Sequence, residues 1–188
     1  MPPIAELDEL GADAFVQELA PLFEGAPAFV ARLALDRPFG SYPALLERAL
    51  VVATSMPEPE QVSLLDAHPR IGAPAATVSA LSFREQGYER DPSRDHGRVT
   101  PGLAGTADEE ASRQQLVIEL EGLNAAYEAR FGFRFVIHVA GRSRAEIARL
   151  MERHLSADRE EERQRGLNDV VSIARDRLAR LVGAEEAA

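Results

Sequence analysis

Chemistry concentrates in the stretch Leu64–Gln86, LLDAHPRIGAPAATVSALSFREQ. It holds an imidazole before a proline (His68-Pro69) and then a Ser-x-x-Glu-Gln cluster, Ser82, Glu85 and Gln86. A residue before proline is pushed out of helical geometry, so His68 is expected at a helix C-terminus with its ring open to a cleft. If Ser82 opens the next helix, the two helix ends face each other across the Ile71–Ser79 connection. An imidazole, a carboxylate, a hydroxyl and a carboxamide would then share one pocket mouth. Such a set can move a proton and bind a polar heterocycle.

Each feature also has a plainer explanation. Ser82-x-x-Glu85 is a capping box, which accounts for both residues without chemistry. His154 stands among charges late in a helical pattern and reads as a surface residue, and His96 sits in a loop. His138, inside the apolar run FVIHVA, reads first as a core histidine with a satisfied ring. No Gly-rich phosphate loop, nucleophile elbow or convincing metal-spaced histidine pair stands beside these residues. The residues alone therefore point to a helical domain with one candidate His/Glu site.

The elements that must position that site are helical. Phe15, Val16 and Leu19 repeat at helical spacing in a run that Pro21 ends or kinks; Phe29, Val30 and Leu33 repeat in a second. Ser41 reads as an N-cap with Pro43 in the first turn, and Leu45, Leu46, Ala49 and Ala53 continue that helix. A short helix over Glu60–Ala67 stops at Pro69. The Arg90–Ala107 stretch has the turn residues of a loop. Thr106-x-x-Glu109 and Ser143-x-x-Glu146 are capping boxes that open later helices. The final helix, Asp158–Leu181, turns Leu167, Val170, Val171, Ala174, Leu178 and Leu181 inward, while its charged start, DREEERQR, is expected to be solvated. Phe131–Ala140 is strand-like but has no second strand to pair with, so it is expected to be an extended, unpaired segment packed between helices. The fold class is all-α: one domain over residues 1–188, with about eight helices.

Composition narrows the partners. With 31 Asp and Glu against 21 Lys and Arg, the net charge is −10, which argues against nucleic acid and anionic membrane. The absence of cysteine removes disulfides, thiolate catalysis and thiolate-held zinc. No apolar run reaches the roughly 18 residues of a spanning helix. The acidic N-terminus lacks the basic start of a signal peptide, so a soluble cytoplasmic protein is the expectation.

Four ordered pieces carry a resemblance: Ala67-His68-Pro69-Arg70-Ile71-Gly72; Ser82-x-x-Glu85-Gln86; Leu123-Asn124-x-x-Tyr127-x-x-x-Phe131-Gly132-Phe133-x-Phe135-Val136-Ile137; and Gly141-Arg142-Ser143. The closing helix, with Glu161, Leu167, Ile173 and Arg177-Leu178, fits as well. Together they resemble the 2-oxo-4-hydroxy-4-carboxy-5-ureidoimidazoline (OHCU) decarboxylases of urate breakdown. The resemblance implies an all-α, cofactor-free, metal-free enzyme, a homodimer by family habit, that converts OHCU to (S)-allantoin and carbon dioxide. It implies His68 as acid/base and Glu85 as the carboxylate that orients it or holds substrate. Pro69, Ser82, Gln86, the Phe135, Val136 and Ile137 backbone, and Arg142 are then implied to bind substrate. The chain departs from the family pattern at Arg134, His138 and Ala140, and Arg142 becomes the candidate cation for the substrate carboxylate. Two rival classes make different demands: a cyclic-ureide hydrolase would use the same pair to activate water, and a helical binding module would need none of these residues.

Overall fold

A computed structural model describes residues 1–74, 79, 81 and 107–185. Among these stand eight α-helices, one 3-10 turn and no strand. The all-α expectation holds. The chain divides into two compact units: Met1–His68 with Val136–His138 and Asp158–Ala188, and Pro69–Phe135 with Val139–Ala157.

The first unit contains α1 (Ile4–Glu9), α2 (Ala12–Leu19), α3 (Pro27–Leu33), the 3-10 turn Ala34–Asp36, α4 (Tyr42–Ser55), α5 (Glu58–Asp66) and α8 (Arg159–Glu185). Its termini follow local chemistry. α2 stops before Pro21, and α3 and α5 each begin with proline in the first turn, where a missing N–H costs nothing. The Ser41 hydroxyl accepts from the Ala44 amide at 3.2 Å and caps α4 as expected. α8 packs along both α4 and α5. Its buried face carries Leu167, Val170, Val171 and Ala174, and meets a core that includes Leu45, Ala49, Ala53, Leu64 and Leu65.

The charged start of α8 departs from expectation. Glu162 is only 2% exposed and Arg163 is also buried. Pairing makes that burial tolerable: Glu162 bonds Arg165, and Arg163 reaches Glu58 at the start of α5, 2.6 Å away. Charge alone therefore mis-stated which face of this helix is wet.

The second unit holds α6 (Ala107–Phe131) and α7 (Arg144–His154), packed on each other. Ser143 and Glu146 form the expected capping box. Leu120, Asn124 and Tyr127 line the buried face of α6 at helical spacing. α6 ends at Gly132, whose φ of +77° suits glycine and whose amide closes onto the Glu128 carbonyl at 2.8 Å. The chain then runs on with no partner strand among the described residues, as expected for Phe131–Ala140, although Phe131 still belongs to α6 and Ala140 already sits in a turn with φ +48°. Phe133 and Phe135 join Tyr127 and Phe131 in an aromatic cluster, with Tyr127 ring centroids 4.5 to 6.0 Å from the other three. These large buried rings, rather than a neighbouring strand, hold this end of the segment. Thr106, the expected opening of α6, and the Arg90–Ala107 loop up to its last residue lie outside the described residues.

Candidate functional site

α5 presents its last turn to His68. Ala67 still has helical backbone angles, and the His68 amide bonds the Leu65 carbonyl at 3.1 Å before Pro69 forbids another turn. The ring is not open to a cleft as the pre-proline position implied: His68 is 8% exposed. Its Nδ1 lies 3.2 Å from the Leu64 carbonyl. A carbonyl can only accept, so Nδ1 carries the proton and Nε2 is the basic nitrogen. Gly25, with φ +72°, brings its turn against the same helix end; a Cβ there would stand 3.1 Å from the Ala67 carbonyl. Leu64 also lines a cavity of about 280 Å³ with Phe29, Met56 and Ser63, but His68 is not among its walls.

The electrostatics of His68 come from depth and from α8. Burial, and then the Arg177 guanidinium, push the imidazole down to about 4; the Leu64 carbonyl and Glu24 oppose them. The ring is thus neutral at pH 7, not poised between forms as an unperturbed imidazole would be. Arg177 is 1% exposed on α8, with Nη1 reaching the Pro21 and Leu22 carbonyls at 3.5 and 3.4 Å and Nη2 reaching Glu24 at 3.5 Å. Sequence reasoning noted Arg177 only as part of a pattern. The signal was an arginine set in the inward stripe of Val170, Ala174 and Leu178.

The other expected site residues fall in three places. Val136 and Ile137 are buried in the same unit as His68. Pro69, Phe135 and Arg142 belong to the second unit. There the loop after Pro69 is fixed by Asn124, whose Nδ2 donates to the Ile71 carbonyl at 2.9 Å and to Leu120 at 2.7 Å. Arg142 is exposed, and its Nη1 donates to the Val139 carbonyl at 3.3 Å within its own turn. Ser82, Glu85 and Gln86 lie outside the described residues.

The remaining histidines sort differently. His138 is partnered as expected but only half-buried: its Nε2 stands 2.6 Å from Asp176. His154, expected on the surface, is half-buried with its ring 6.0 Å from that of Phe135. His96 lies outside the described residues. Among the described residues there is no group of three or more His, Asp or Glu side chains able to hold a metal, and no helix long and apolar enough to cross a membrane.

Comparison with known proteins gives one family. The model of the OHCU decarboxylase family matches residues 8–179. The chain is 29% identical over 177 residues to the uric acid degradation bifunctional protein PucL of Bacillus subtilis, covering 94% of this chain and 32% of that protein. It is 27% identical over 182 residues to the 2-oxo-4-hydroxy-4-carboxy-5-ureidoimidazoline decarboxylase of Haloferax volcanii, covering 97% of each. The chain spans about a third of the length of the two bifunctional relatives it matches, 32% and 31%. Its fold is similar to a crystal structure of OHCU decarboxylase in the presence of (S)-allantoin, with TM-score 0.59 and 18% identity over 87% of this chain and 96% of that one. It is also similar to a crystal structure of (S)-allantoin synthase, with TM-score 0.61 and 15% identity over 95% and 53% of the two chains.

Proposed function

The chain belongs to the OHCU decarboxylase family, and from that premise we propose that it decarboxylates 2-oxo-4-hydroxy-4-carboxy-5-ureidoimidazoline to (S)-allantoin and carbon dioxide. The observation that carries the reading is the family match over residues 8–179, which contains the buried, neutral His68 at the end of α5.

The substrate carries its carboxylate on a carbon that also bears a hydroxyl and adjoins an imine-like carbon–nitrogen bond. When the bond to carbon dioxide breaks, its electron pair moves into the ring and onto the imine nitrogen, which takes one proton from solvent. The ring itself is the electron sink, so no external one is required. The remaining change moves a proton from the hydroxyl to the neighbouring ring carbon, on one face. His68 suits that transfer. Its Nε2 takes the hydroxyl proton as the carbonyl forms, and the imidazolium returns it to carbon. An imidazolium that titrates at about 4 beside Arg177 is a stronger acid than usual, which favours the return.

In this reading Glu85 orients His68 or holds the substrate's hydroxyl and N–H. Ser82 and Gln86 bond the ureido arm or ring carbonyl, and Pro69 borders the site beside His68. The Phe135, Val136 and Ile137 backbone supplies amide donors and carbonyl acceptors, and Arg142 meets the carboxylate. The 188 residues act as one cytoplasmic domain without metal or organic cofactor, assembled as a homodimer. Val117 and the 61%-exposed Ile118, adjacent on α6, support an apolar interface.

The test is a urate-degradation assay with EDTA-dialysed protein, following OHCU absorbance and the handedness of the allantoin formed. The expected result is faster OHCU decay and an excess of (S)-allantoin. Decay at the uncatalysed rate, or racemic product, sinks the reading. A hydrolase would instead consume the substrate without releasing carbon dioxide.

A further inference from the structure

The run 136–138 has no partner strand among the described residues, yet α8 supplies side chains where a strand would supply backbone. Arg165 Nη1 donates to the Val136 carbonyl at 2.9 Å. The His138 amide donates to the Asp169 carboxylate. Residues two apart in an extended chain present their peptide groups on one edge, and the residue between them presents its groups on the other. Arg165 and Asp169 therefore occupy the Val136/His138 edge, which turns the N–H and C=O of Ile137 to the opposite edge.

The donor is itself locked. Arg165 Nε and Nη2 donate to Glu162 at 3.0 and 2.6 Å, and Nη1 donates to Asp169 at 2.6 Å. Positions three before and four after Arg165 lie on its face of the helix, so one guanidinium is gripped from both sides. Glu162 is buried, and a carboxylate at that depth holds its cation firmly. Burial pushes the Asp169 carboxyl up, while Arg165 and His138 pull it back down.

We infer that Arg165 and Asp169 are positioning residues for substrate binding, which fix the 136–138 backbone so that the Ile137 peptide edge meets the polar rim of the heterocycle. The inference rests on the functional reading above, in which this backbone binds substrate. Neither side chain touches the substrate. Sequence patterning hid them, because Arg165 closes the charged helix start that reads as solvated and Asp169 follows one turn later beside Asn168.

A peptide contact formed equally in ground and transition states changes KM and leaves kcat alone. Removing Arg165 alone strands buried Glu162, so the test uses the double change Glu162→Gln/Arg165→Met alongside Asp169→Ala and Asp169→Asn. The expected result is a KM raised about tenfold with kcat within about threefold, the weight of roughly one peptide hydrogen bond. Asp169→Asn keeps an acceptor for the His138 amide and should raise KM less than Asp169→Ala. Amide exchange over 136–138, followed by mass spectrometry, should quicken in the double variant and in Asp169→Ala. A folded double variant with wild-type KM, or with unchanged exchange at 136–138, overturns the positioning role. Wild-type protein that leaves OHCU untouched sinks the functional reading instead; the exchange arm then decides whether α8 orders the segment.

Discussion

The end of α5 and the run 136–138 each bring one histidine under the influence of α8, and successive residues of that helix treat them oppositely. His68 is buried and feels the cation of Arg177. His138 is half-buried and bonds the anion of Asp176 at 2.6 Å. Neighbouring helix residues point about 100° apart, so one helix serves both surroundings without conflict. The difference shows what environment does to one side-chain type. Depth and a nearby cation make a neutral ring suited to passing a proton. A nearby carboxylate at an accessible edge makes a tether.

Breaking the first arm should have the largest effect. His68→Asn keeps polarity but removes the titrating nitrogen, and should cut OHCU turnover by about 10²–10⁴-fold with the fold intact. A folded His68→Asn protein, checked by circular dichroism, that turns over at the wild-type rate would remove His68 from the chemistry.

The second way to sharpen the contrast is pH. In an unfolded chain His68 holds its proton up to 6.5, and in the fold only up to about 4. Between these values the unfolded chain binds more protons, so stability falls as pH drops from 6.5 to 4 and levels off below. The loss contributed by this ring is on the order of 3 kcal/mol. Denaturant unfolding of wild type and His68→Asn across that window should show the wild type losing more. The acid limb of kcat/KM should likewise lie near 4. Arg177→Gln removes the cation and should move that limb upward by roughly one pH unit. A limb that stays at its wild-type position in Arg177→Gln would mean that depth alone keeps His68 neutral.

Much of the fold was legible because its grammar is local. Ser41 and Ser143 cap helices through bonds three residues away, Pro21 and Pro69 end them, and the alternation of inward residues on α8 follows a 3.6-residue period. That this run lacks a partner strand among the described residues was legible too, since the sequence holds only one strand-like segment. What resisted was long-range. His68 is buried because α8 and the Gly25 turn come to the end of α5, and nothing near position 68 encodes that. Glu162 and Arg163 are buried because partners meet them: Arg165 one turn along α8, and Glu58 on α5. A charge run in sequence gives the number of ions, not which of them find partners. Arg177 was noted only within the pattern of the closing helix; its place in the apolar stripe was a signal for burial that went unread, and nothing in the sequence shows that its field reaches an imidazole more than one hundred positions earlier in the chain.

Breaking the second arm should do least. The His138–Asp176 pair is partly exposed on both sides, and such pairs contribute about 0–1 kcal/mol. Arg180 also stands 3.7 Å from Asp176, so the carboxylate is shared between two weak partners. Asp176→Asn keeps an acceptor for the His138 ring and removes only the charge. The melting temperature should fall by less than about 4 °C for a chain of this size. Both kcat and KM should stay within about twofold, and the acid limb should remain near 4. That last measurement is the discriminating one. Asp176 is bonded to Arg177 through the chain, so a field spreading freely along α8 would carry the lost negative charge to His68 and lower its limb further. A limb that does not move means that the two faces of the helix are electrostatically separate. A limb that shifts with Asp176→Asn breaks the comparison, because the tether at His138 and the neutral ring at His68 would then be one coupled device.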